Sequence, residues 1–121
     1  ARDLGIGLDA RRRPDAARRG REEGVDQGWS LLQLAHGAKN RGDLAEAERA
    51  IAGALELFER GEETSGTVEC LQLRGDLHCR RGEQRSAVDA FQRAREMARR
   101  AGDAGREGAA LGNLGTAAHQ C

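Results

Sequence analysis

At 121 residues the chain has room for one domain or for a short piece of a longer array, and with 38% hydrophobic but only 2% aromatic residues its core is built mainly from Ala and Leu. Lys+Arg and Asp+Glu balance at 20 each, so no whole-chain field draws the protein to nucleic acid or to an anionic membrane. No apolar run approaches the roughly 18 residues of a membrane span, and three cysteines, an odd number, argue against a disulfide framework and for reduced thiols in the cytoplasm.

Residues 1–27 form a basic lead-in carrying Arg11, Arg12, Arg13, Arg18, Arg19 and Arg21. Asp3-Leu4 lies 40 residues before Asp43-Leu44, so the stretch can be read as a decayed second helix of a preceding unit. Pro14 would kink or stop such a helix. The preferred reading is a short helix starting at Pro14 and running to roughly Glu23. No aromatic residue interleaves the arginines for base stacking, and Glu22 and Glu23 follow at once, so a solvated arm is expected, with nucleic-acid contact as an alternative.

From residue 28 the chain overlays on itself when shifted by 40 positions. Leu31, Leu71 and Leu111 recur at that step, as do Ala47 with Ala87 and Ala54 with Ala94. The units are 28–67, 68–107 and a partial 108–121. In the first, Leu31, Leu34, Ala35 and Ala38 follow helical spacing, and Gly42-Asp43 ends the helix. Asp43 with Glu46 fits a capping box for a second helix, which carries Leu44, Ala47, Ile51, Ala54, Leu55 and Phe58 on one face. Residues 60–67 read as a loop by composition. In the second unit the later helix carries Ala87, Phe91, Ala94 and Met97, and its loop falls near Ala101-Gly102-Asp103. Gly75, Gly115 and Ala35 are expected where the first helix crosses its partner, because close crossing needs small side chains. In the third unit Leu111, Leu114 and Ala118 are patterned to pack against a second helix; the helix that carries them is expected to cap the array, to leave an apolar strip exposed, or to pair with another copy. Gly37, Gly53 and Gly112 lie inside predicted helices and should lower stability by roughly 1 kcal/mol each relative to Ala.

The string Leu71…Gly75…Gly82…Ala87…Phe91…Ala94, with Leu31…Ala35…Gly42-Asp43…Ala47…Ile51…Ala54 and Leu111…Leu114-Gly115, resembles the tetratricopeptide repeat. Arg74 and His78 stand where that family has Leu and Tyr, and the step is 40 rather than the usual 34. The 40-residue step and Gly102-Asp103…Leu111-Gly112-Asn113-Leu114-Gly115 look like the subgroup of Pins/LGN adaptors, kinesin light chains and bacterial signalling-regulator arrays. The resemblance implies an all-α solenoid of helical hairpins, about two and a half repeats, that binds polypeptides and is not an enzyme.

It also implies a concave groove lined by the first helices. Carried over position by position, the groove presents Trp29, Leu32, Gln33, His36 and Asn40, then Glu69, Gln72, Leu73, Asp76 and Arg80. The third unit adds Ala109, Gly112, Asn113, Thr116 and Gln120. Asn113 matches the family's Asn before Leu-Gly, whose amide donates to and accepts from a ligand backbone. Trp29 is either a groove anchor or a cover on the core edge. Asp76 and Arg80 form an i, i+4 pair on one helix face. His78 is expected to point into the hairpin.

Cys79 and His119 differ by 40 residues, but no Cys-x-x-Cys or His-x-x-x-His spacing accompanies them, so neither metal nor cofactor is expected. No Ser/His/Asp or Cys/His grouping and no phosphate loop appears, and no small-molecule substrate is expected. The leading reading is a protein-interaction scaffold that binds a peptide in the groove. The alternative is the regulatory or sensor region of a larger signalling or transcription protein.

Overall fold

Helix stops set the architecture. In the computed structural model four turns, 41–43, 61–63, 81–83 and 101–103, separate five α-helices: α1 (Arg2–Asn40), α2 (Leu44–Arg60), α3 (Thr64–Arg80), α4 (Gln84–Arg100) and α5 (Ala104–Gln120). The structure describes the backbone of residues 2–120 and the side chains of residues 16–119; Arg11–Arg13 and Cys121 therefore lie outside the described side chains. The last four helices each have 17 residues. No strand occurs among the described residues.

Each turn closes the same way. The third turn residue donates its N–H back to a carbonyl five positions earlier, as from Asp43 to Ala38 at 2.9 Å and from Glu83 to His78 at 2.8 Å. This bond requires a left-handed residue just before it, which an L side chain resists. Gly42, Gly82 and Gly102 fill that place with φ of 82°, 75° and 72°, whereas the second turn uses Glu62 at φ 54°. Asp43 caps α2 by accepting from the N–H of Glu46 at 3.1 Å. The reciprocal half of the capping box is not made, because the Glu46 carboxylate pairs with Arg41 at 3.0 Å.

Two boundaries differ from expectation. α1 is one helix of 39 residues that runs through Pro14 and through 24–28, instead of a short helix ending near Glu23. Gly24 and Gly28 are not turn residues here. They let α2 approach: a Cβ on Gly28 would stand 2.7 Å from the Phe58 ring, and one on Gly24 would stand 3.5 Å from Leu57. The expected loop over 60–67 shrinks to 61–63, because Thr64–Thr67 form the first turn of α3. Gly66 there lies under Phe58, whose Cδ1 would be 2.6 Å from an added Cβ, and the Thr67 hydroxyl bonds the Glu63 carbonyl at 3.1 Å.

α2 packs on α1 and α3, and α4 packs on α3 and α5, while the first helices touch one another only lightly. The fold is thus an all-α array of stacked helical hairpins, α1–α2 and α3–α4, followed by α5. The core is Ala-rich as composition implied. Ala35, Ala38, Ala47, Ala54, Ala87, Ala94 and Ala98 are fully buried, and the bulk comes from Phe58, Phe91, Ile51, Leu73 and Leu77. Small residues bring the helix axes together, and one aromatic per junction fills the remaining gap. Positions 40 apart trade volume across the junction. Phe58 faces Gly28 and Gly66, whereas its counterpart Ala98 clusters with Val68, the counterpart of Gly28. The register on α1 is shifted from the predicted stripe: Leu32 is buried, Leu31 half-buried, and Leu34 exposed at 48%.

Candidate peptide-binding face

The first helices α1, α3 and α5 succeed one another along one side, and polar side chains cross from each to the next. Near the C-terminal ends of α1 and α3, Lys39 Nζ lies 3.4 Å from Asp76 Oδ2. Arg80 Nη1 donates to the Lys39 carbonyl at 3.0 Å. Between α3 and α5, Asn113 Nδ2 donates to Gln72 Oε1 at 2.7 Å, and Arg106 Nε donates to Glu69 Oε1 at 3.0 Å. Arg106 Nη1 also reaches Asp103 Oδ2 at 2.8 Å.

These bonds explain the local electrostatics. Asp103 caps α5 by accepting the N–H of Arg106 at 3.0 Å. That backbone bond, then the Arg106 guanidinium, holds its carboxyl below the usual carboxylate range. The same contact, reinforced by Glu69, holds Arg106 firmly protonated. On the far side of α3, burial pushes the Cys70 thiol up to about 12. Neither Cys70 nor Cys79 is in a disulfide.

Of the expected groove residues, Gln33, His36 and Asn40 are exposed along α1 and make no hydrogen bond or ion pair with the described residues. Gln72, Asp76 and Asn113 are half-buried and Arg80 is exposed, all within the crossing network. Others fall elsewhere. Leu32 and Leu73 are buried in the core because the α1 and α3 faces that carry them turn toward α2. Trp29 is half-buried with its ring centroid 4.9 Å from that of Phe58 at 60°, so it covers the edge of the α1–α2 core. Asp76 and Arg80 do not pair with each other, because Lys39 on α1 offers Asp76 a cation and offers Arg80 a carbonyl. His78 is not inside the hairpin; its Nδ1 lies 3.2 Å from Glu83 Oε1 at the following turn.

Lys39 and Arg106 were missed. A signal for them exists in the numbering: the two cross-helix ion pairs are both 37 positions apart, and the two hydrogen bonds Arg80–Lys39 and Asn113–Gln72 are both 41 apart. These offsets are the 40-residue step less one helical turn and plus one residue. They mark the sites where parallel neighbouring helices face each other.

Among the described residues no group of three or more His, Cys, Asp or Glu could hold a metal ion. None of the described helices is long and apolar enough to cross a membrane. The family model described as Tetratricopeptide repeat matches residues 26–100. The chain belongs to the tetratricopeptide repeat family. Its repeats are in general protein-interaction modules, and the helical array described above is the framework such modules use. No curated protein and no solved structure matches this chain.

Proposed function

We propose that this tetratricopeptide repeat chain is a scaffold that binds a peptide segment of another protein along the face formed by α1, α3 and α5. The observation that carries the reading is the contrast along that face. Gln33, His36 and Asn40 stand exposed and uncommitted on α1, while Asn113 donates one hydrogen bond to Gln72 between α5 and α3. Each amide in that pair keeps further capacity, an N–H from Asn113 and an NH2 from Gln72, and such groups recognise a ligand's backbone with little regard to its sequence. Lys39 pairs with Asp76, and Arg106 with Glu69 and Asp103, so these charges offset one another along the face. The 40-residue step supports kinship with the adaptor and signalling-regulator subgroup, and Cys70, a buried thiol outside any disulfide, suits a reducing, cytoplasmic setting.

Peptides selected from a random display library on the chain provide the test. Amide chemical-shift mapping with a selected peptide is expected to move Gln33, His36, Asn40, Gln72 and Asn113 together. The double substitution Gln33→Ala and Asn113→Ala should weaken binding at least tenfold, equivalent to about 1.4 kcal/mol. Selected peptides that map to α2 and α4, and that bind the double variant as well as the parent, would refute the assignment.

A further inference from the structure

The second helices α2 and α4 stand apart, and an open groove of about 370 Å³ lies between them over the start of α3. Its floor is apolar: Phe58 and Leu71 are buried beneath it, and the half-buried Leu55 and Met97 flank it. One rim carries Glu59, Glu62 and Glu63, from the end of α2 and the turn after it, and the other carries Arg93 of α4. None of the three carboxylates makes a hydrogen bond or an ion pair with the described residues. Both walls and the floor belong to described helices.

The helical repeat does not dictate this groove. Shifted by 40 residues, Leu55, Glu59 and Glu62 become Arg95, Arg99 and Gly102, so neither the apolar floor nor the acidic rim is needed to stack one hairpin on the next. The other three turns hold glycine where Glu62 stands. Because α2 ends and α3 begins at one turn, the negative end of one helix dipole offsets the positive end of the other. The sign of the groove is therefore left to its side chains, three carboxylates against one guanidinium.

We propose that this groove is a second binding site, for a basic segment of another protein that lays an aliphatic side chain on the floor and sets Lys or Arg against the acidic rim. Long cationic side chains rest their methylene stems on apolar surface while the charged head stays in water, which suits Leu55 and Met97 beside exposed carboxylates. An anionic partner such as nucleic acid would meet like charge there. On α3, at roughly 100° per residue, Thr64, Thr67 and Leu71 point away from Glu69 and Asp76, so the groove and the peptide-binding face lie on different sides of the array. The proposal stands independently of that face.

Amide chemical-shift titration of the chain with two capped peptides tests it, one Gly-Ser-Lys-Leu-Arg-Ser-Gly and the other Gly-Ser-Glu-Leu-Glu-Ser-Gly. The basic peptide is expected to shift Glu59, Glu62, Thr64 and Met97 to saturation, and the acidic one to leave them in place. Glu59→Gln with Glu62→Gly should weaken binding about fivefold, the size expected for two exposed ion pairs, with unchanged far-ultraviolet circular dichroism. Glu56→Gln, which removes a carboxylate from α2 outside the groove, should leave the affinity as it was. No saturable shift at millimolar peptide overturns the proposal, as does equal binding of the acidic peptide or a loss on Glu56→Gln as large as that of the double variant. Shifts confined to Gln33, Asn40 and Asn113 also overturn it, while leaving the peptide-binding face in place. So does a mass that doubles with concentration and falls back in the double variant, which would put a second copy in the groove.

Discussion

Replacing a buried glycine and its repeat counterpart by alanine should move stability in opposite directions. Gly75 and Gly115 sit 40 residues apart, each inside a first helix, so the gain from helix propensity is the same for both, about 1 kcal/mol. The surroundings differ. At Gly75 a methyl would lie 2.5, 2.6 and 2.8 Å from Cε1, Cζ and Cδ1 of Phe91. That ring is 1% exposed and held among Ala87, Ala117 and Leu114, so it can retreat only by disturbing them. Overpacking of this kind costs about 1–3 kcal/mol, which offsets or exceeds the propensity gain. Gly75→Ala should therefore be neutral to destabilising by about 2 kcal/mol. Gly115→Ala meets nothing and should stabilise by up to about 1 kcal/mol, less any fraying near the end of α5. The assay is urea unfolding followed by circular dichroism at low micromolar concentration. Adding Phe91→Leu to Gly75→Ala should recover part of the loss, since the smaller side chain vacates the contact. If Gly75→Ala stabilises as much as Gly115→Ala, the close helix crossing inferred at Phe91 is wrong.

Three more outcomes follow from the turns and the core. Glu62→Gly should raise stability by about 1 kcal/mol, because Glu62 alone among the four left-handed turn residues carries a Cβ; a midpoint lower than the parent's in thermal unfolding would contradict this. For Cys70 the folded thiol is raised from 9.0 to about 12, so the unfolded chain ionises first as pH rises. Stability attached to this thiol is complete below pH 9 and falls between about 9 and 12, and Cys70→Ala should flatten that part of the pH profile. Cys70 should also react with a thiol reagent at pH 8 far more slowly than Cys79, which is half-buried; equal rates in mass-resolved labelling would show that the α3 core opens readily.

The repeat itself was legible without coordinates. A step of 40 is carried by residues whose effect is local: Gly42, Gly82 and Gly102 stop helices by accepting a left-handed backbone, and alternating Ala and Leu at helical spacing define a buried stripe. Local signals failed where one residue type serves two purposes. Gly66 falls in the expected loop, and Gly24 and Gly28 fall beyond the expected end of the lead-in helix, yet each lies inside a helix beneath a side chain of α2, and nothing in its immediate neighbours distinguishes a glycine needed for space from one needed for a turn. Glu62 closes a turn with no glycine to announce it.

For the candidate site, residue type and face could be read from periodicity, and Gln33, His36 and Asn40 do lie exposed on one side of α1. Their partners could not. Whether Asp76 meets Arg80 on its own helix or Lys39 on the next depends on the spacing and angle between α1 and α3, which the buried Ala, Gly and Phe contacts behind them set. The same holds for Leu34 and Leu114, counterparts in sequence. Leu114 packs against the cluster of Ala87 and Phe91, whereas α1 meets only α2 and α3 and leaves Leu34 in solvent. The chain's own letters thus determine where helices begin, end and recur, because those are properties of a few consecutive residues. Tertiary structure alone decides which side chains are committed to a neighbouring helix and which stay free for a partner, because that is a property of the space between helices.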